Sequence, residues 1–107
     1  MATQKQKNYY VIKLSKMKGT RKNANKIFTR LTQALIHKKP IYLYLKDETL
    51  ALGKIYAISK QQNKEYDLIE LVSWTKKIYM RFKHNQPDQP LETNVYDILL
   101  EPTISYD

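Results

Sequence analysis

Pro40 divides this chain into two stretches with different periodicities, and that division limits the fold more than any other feature. Before it, Ala24, Ile27, Phe28, Leu31, Ala34 and Leu35 recur at helical spacing and form one apolar stripe. Lys26, Arg30, Gln33 and His37 fall on the opposite face. Asn23 is placed to cap the first turn, Lys38 and Lys39 complement the negative end of the helix dipole, and Pro40 stops the helix. The expected helix spans about 23–38 and buries the Phe28 ring.

After Pro40 the period is two. Ile41, Leu43 and Leu45 alternate with Tyr42, Tyr44 and Lys46, and further strands are expected over 50–59, 66–74, 78–83 and 95–100. The apolar phase shifts at Gly53, which marks a bulge or sharp bend. Trp74 ends an apolar strand and is expected in the core. Ahead of the helix, Tyr10, Ile12 and Leu14 alternate with Tyr9, Val11 and Lys13, predicting one more strand. A basic loop follows, in which Gly19 is the residue free to take positive φ. The expected architecture is α+β: a small, strongly bent β-barrel of five to six strands with one principal helix (about 23–38) packed across it. Residues 1–8 are expected to be a flexible basic arm and 9–107 a single barrel domain.

The charge points to a class of partner. Nineteen lysines and arginines face ten acids, a net of +9. Twelve of those cations lie in residues 1–46, which contain no acid at all. Unless folding scatters them evenly, they form a positive face that attracts polyanions. No apolar run approaches the ~18 residues of a spanning helix, and Met1–Lys7 has no apolar secretory core, so a membrane role is not expected. The absence of cysteine removes disulfides, thiolate metal sites and cysteine nucleophiles, and fits a small bacterial cytoplasmic protein. With two glycines there is no phosphate-cradling glycine loop.

The positions Ile41, Leu43, Leu45, Asp47, Gly53, Ile55, Ile58 and Asn63 follow a spaced pattern, and the chain ends on an aliphatic strand followed by Pro102. This pattern resembles the first motif of the Sm-like RNA-binding family over about Asn23–Pro102. The resemblance implies a barrel bent at Gly53 and a loop asparagine, Asn63, that hydrogen-bonds a base at a ring's pore. Two positions depart from the family: Ser59 stands where an acid is usual, and Glu92-Thr93 replaces the arginine–glycine pair that clamps the base. The order strand, helix, strands is equally similar to PUA-like barrels, which also bind RNA. A small RNA-binding barrel is common to both.

No catalytic constellation is visible. His37 and His84 have no partner at metal-ligand spacing, and Asp47-Glu48 reads as a solvated turn, so no metal, cofactor or catalytic residue is expected. Lys16, Lys18, Arg21 and Lys22, continued by Lys26 and Arg30, are the expected phosphate contacts. Tyr79, Arg81 and Lys83 share one strand face, and Tyr42 another with Tyr44, an arrangement that stacks bases while cations hold phosphates. Tyrosine is also a favoured strand residue, which fits Tyr42 and Tyr79 as well and fits Tyr44 better. The expected function is non-catalytic binding of RNA, or of single-stranded DNA, by a regulator, with self-association through open strand edges. A regulator acting on an acidic protein and a ribosome-dependent mRNA-cleaving toxin are the other two classes open to this sequence.

Overall fold

The computed structural model describes residues 8–86 and 88–98. The expected arm up to residue 7, Pro87, and the strand end at Leu99 and Leu100 with Pro102 lie outside the described residues. In chain order the elements are β1 (Tyr10–Lys13), α1 (Arg21–Ile36), β2 (Ile41–Tyr44), β3 (Thr49–Gly53), β4 (Ile55–Gln62), β5 (Asp67–Ser73), β6 (Lys76–Phe82) and β7 (Glu92–Asp97). The architecture is α+β with one helix and, among the described residues, seven strands in two sheets. The sheets are ordered β1-β2-β3 and β4-β5-β6-β7.

Gly53 is where the chain passes from one sheet to the other. Its φ of +70° is a conformation that L side chains rarely adopt, and it separates β3 from β4 by the single residue Lys54. The phase change in the sequence is therefore a corner between sheets, reinforced by register shifts at Ile41/Tyr42 and Ile55/Ala57. The expected single strand over 50–59 is two strands, and the two sheets are not closed into a barrel. In the first sheet β1 pairs in parallel with β2, Tyr10 opposite Ile41 and Lys13 opposite Tyr44, while β3 takes the other side of β2. Both edges of β2 are thus occupied, and among the described residues β7 pairs only with β6.

The helix cap lies three residues earlier than expected, and the helix itself begins at Arg21. Thr20, not Asn23, is the N-cap: its backbone is extended and its hydroxyl accepts the Asn23 N–H at 3.1 Å. The Asn23 side chain instead donates to the Lys18 carbonyl at 2.8 Å. At the other end His37 is the C-cap, and Lys38, at φ 55°, takes the left-handed position that glycine usually fills. The Lys39 N–H then reaches the Ala34 carbonyl and the Lys38 N–H the Leu35 carbonyl, satisfying two orphan acceptors.

The inner faces of both sheets and the helix stripe share one core. Ile12, Ile41 and Leu43 enter it from the first sheet, Ile69, Leu71, Ile78, Met80 and Phe82 from the second, and Ala24, Ile27, Leu31 and Ala34 from α1. Phe28 is only half-buried, at the rim, with the Lys60 ammonium 5.5 Å from its ring centre. Leu31, fully buried at 0% exposure, is the helix's anchor instead. Leu31→Ala should therefore cost about 2–5 kcal/mol of unfolding free energy, and Phe28→Ala less despite its larger side chain. Denaturant midpoints of the two variants give the order directly; a larger loss for Phe28→Ala would place the ring inside the core.

Candidate nucleic-acid interface

The basic loop is not free along its whole length. The Leu91 N–H donates to the Met17 carbonyl at 3.0 Å and the Gly19 N–H to the Gln89 carbonyl at 2.9 Å, strapping residues 17–19 to the segment before β7. Gly19 is buried, and a Cβ there would lie 3.0 Å from the Lys83 backbone nitrogen. Close approach requires this glycine, and the positive φ expected of it belongs to Lys16, at 63°. Lys16, Lys18 and Lys22 remain exposed, and Lys18 lies 3.8 Å from the exposed Asp88.

Two of the expected nucleic-acid contacts serve the fold. Arg21 Nε and Nη2 donate to the two carboxylate oxygens of Asp67, both at 3.2 Å, and Nη2 also donates to the Asn63 carbonyl at 3.3 Å. Asp67 is fully buried, so this guanidinium compensates a charge that could not otherwise be there. Asn63, expected to read a base, accepts the Glu65 and Tyr66 N–H groups on its own side-chain oxygen at 2.9 and 2.8 Å. That Asx turn builds the β4–β5 hairpin. The His84 ring completes the cluster, its Nε2 lying 2.9 Å from the Asn63 carbonyl and 3.6 Å from Asp67.

Lys26 and Arg30 do come together, with a residue not among the expected contacts. They line an open groove of about 570 Å³ between β1 and α1, with Lys13 and Tyr44 beside them and Ile12, Met17 and Ile27 among its apolar lining. Lys13 was legible only as an outward strand position. Its place opposite the helix depends on the parallel β1–β2 pairing, which no local pattern reveals. Arg30 is positioned twice over: Nε donates to the Val11 carbonyl at 3.1 Å, and the guanidinium lies 5.1 Å from the Tyr10 ring centre. Tyr10 is held in turn by a 2.7 Å contact from its hydroxyl to His37 Nδ1. Since Tyr10 and Leu14 direct their N–H groups at β2, the Val11 carbonyl faces the free edge of β1, and Arg30 covers it. Lys22 stands one turn before Lys26, and Lys16 follows β1. Among the described residues, Lys13, Lys16, Lys22, Lys26 and Arg30 have no acid within ion-pair distance. Tyr42 is exposed on the outer face of the same sheet, edge-on to Tyr9 at 5.3 Å.

Tyr79, Arg81 and Lys83 occupy a different surface, the outer face of the four-stranded sheet, where charge is largely cancelled. Lys83 lies 2.5 Å and Arg81 3.8 Å from Glu92, and Lys77 lies 3.8 Å from Glu70. The hydrogen bond from Lys83 holds the Glu92 carboxyl below the usual carboxylate range. Contact with the Tyr79 hydroxyl, then the charge of Glu70, raises Lys77. Arg81 stacks 4.9 Å from the Tyr66 ring centre, and its Nε is buried without a partner.

Trp74 is not in the core. It sits 57% exposed in the β5–β6 turn, edge-on to exposed Tyr56 at 5.2 Å. The buried Ser73 hydroxyl takes the inward place, accepting the Lys76 N–H at 3.0 Å and so closing the hairpin. Among the described residues there is no cluster of acids and histidines able to hold a metal, and no helix is long and apolar enough to cross a membrane.

Comparison with protein-family models, with curated proteins and with solved structures finds no match. Function is therefore read from the chemistry of the surface itself.

Arg21→Ala should lower the unfolding free energy by about 3 kcal/mol, the low end for breaking a buried pair, since the guanidinium is half in water. Its neighbour Lys22→Ala should stay within about 0.5 kcal/mol of the parent. Urea titration of both variants checks this, and an unchanged midpoint for Arg21→Ala would return Arg21 to the ligand-binding set.

Proposed function

We propose that this protein binds single-stranded or structured RNA without performing chemistry on it, and that the groove between β1 and α1 is where the phosphates lie. One observation carries the reading: three cations without acid partners among the described residues, Lys13, Lys26 and Arg30, line one groove, while Lys76, Lys77, Arg81 and Lys83 of the β6 face are matched by Glu70, Glu92 and Asp97. Concentrated positive potential along an open groove suits a polymer of phosphates. The exposed tyrosines Tyr9, Tyr42 and Tyr44 on the adjoining sheet face add planes on which unpaired bases stack. Kinship with Sm-like proteins is a further proposal, supported by the bend at Gly53 after a helix and strand; the β1–β2 pairing departs from it.

The expected outcome is a steep salt dependence. Each phosphate neutralised on a single strand contributes about −0.7 to the slope of log affinity against log salt. Changing Lys13, Lys22 and Lys26 together to serine should flatten that slope by about 2, leaving Arg30 to hold the strand edge. Lys83→Ser, already neutralised by Glu92, should change it far less. Tyr42→Ala should weaken binding by about 1–3 kcal/mol with the slope intact. Titrations of a short RNA and the matching DNA measure all of these. A parent with no affinity for either polymer at ~50 mM salt would overturn the reading in favour of an acidic protein partner.

Self-association belongs to the same proposal, because the outer edges of β3 and β7 have no strand partner among the described residues. Sedimentation of nucleic-acid-free protein tests it, and a monomer at high concentration would remove it.

A further inference from the structure

We propose that the depression on the outer face of the four-stranded sheet, lined by Leu68, Tyr79, Arg81, Asn94 and Tyr96, is a pocket for one unpaired nucleobase. This rests on the RNA-binding reading above and extends it to a second, chemically different subsite. The pocket holds about 200 Å³. That is below the 300–1,000 Å³ of sites for larger ligands, while a cavity of about 150 Å³ already admits a benzene ring. Its lining suits a flat heterocycle. Tyr79 and Tyr96 stand edge-on at 5.8 Å, so a ring stacked on one meets the edge of the other. Asn94, opposite Tyr79 in the β6–β7 register, offers an amide donor and acceptor together, the combination that pairs with base edges. Arg81 also lines the pocket; its only acid contact among the described residues is Glu92 at 3.8 Å, which leaves N–H groups of the guanidinium to meet an acceptor on the base.

Shared residues connect this pocket to the groove. Asn94 also lines a neighbouring depression with Lys46 and Thr93, bordered by Asp47 and Glu48. Lys46 and Thr93 line the next one along, with Leu14 and Lys16. Lys16 and Leu14 in turn are chain neighbours of the groove residues Met17 and Lys13. The two acids steer phosphates to the Lys16 side of that path. A strand lying in the groove thus has a series of depressions, lined by shared or chain-adjacent residues, leading towards the pocket. There the local charges cancel and stacking, not phosphate attraction, supplies the affinity.

An uncharged probe separates the two subsites. Adenosine, guanosine, cytidine and uridine, titrated singly into isotope-labelled protein, should shift the amide signals of Tyr79 and Asn94 for at least one nucleoside. Its dissociation constant should stay within about twofold between ~50 and ~300 mM salt, since no counterion is released. Tyr79→Ala should weaken the nucleoside about tenfold, the usual size of a lost stacking contact. Asn94→Ala, at an exposed position, should also weaken it while melting like the parent. The Lys13, Lys22 and Lys26 triple variant should bind the nucleoside as the parent does. No shift at Tyr79 or Asn94 with any nucleoside overturns the pocket even if RNA binds. Nucleoside binding that survives while RNA shows no salt-dependent affinity keeps the pocket and removes the groove.

Discussion

The Arg21–Asp67 pair ties the start of α1 to the start of β5, and much of the molecule is placed by it. A buried carboxylate is stable only with its charge matched and its oxygens hydrogen-bonded, so the helix cannot rotate or slide without stranding Asp67. Through the second nitrogen of the same guanidinium the Asn63 turn and His84 are held in the same cluster. One interaction thus sets helix, hairpin and the end of β6 relative to one another. The helix orientation it fixes turns the apolar stripe inward and leaves Lys26 and Arg30 along β1.

The two halves of the chain manage charge in opposite ways. From β5 onward, cations and acids lie within reach on neighbouring strands, and the outer sheet face approaches neutrality. The first 46 residues contain no acid, and Arg21 is neutralised only because β5 brings Asp67 to it. The remaining cations around β1 and α1 repel one another in the folded state, a standing cost that a polyanion in the groove would relieve.

Local periodicity carried much of the fold. The stripe Ala24, Ile27, Leu31 and Ala34 is the buried face of α1, and the shift at Gly53 is a real break between strands. What one-dimensional patterns could not carry was sheet membership. The parallel pairing of β1 with β2 joins residues far apart in sequence, and no local pattern announces it. The site was legible in the same measure. Lys26 and Arg30 lie on the polar helix face where the groove forms. Arg21 and Asn63 resemble binding residues in sequence because burial of Asp67 and an Asx turn leave no signature in spacing. Trp74 was misjudged because a short hairpin needs a small hydroxyl, Ser73, at the position where an apolar strand would place its last inward side chain.

The parallel edge strand has a consequence for when the groove exists. β1 is four residues long, borders only β2, and earns its place through contacts that form after the whole β1–α1–β2 crossover has closed. Such edges are the parts of a domain that open locally while the rest stays folded. If β1 lifts away, one wall of the groove goes with it, and Lys13 parts from Lys26 and Arg30. Groove occupancy and strand docking are therefore linked equilibria: whatever lies across those cations holds the N-terminal strand in the sheet, by as much as the docked strand improves its binding.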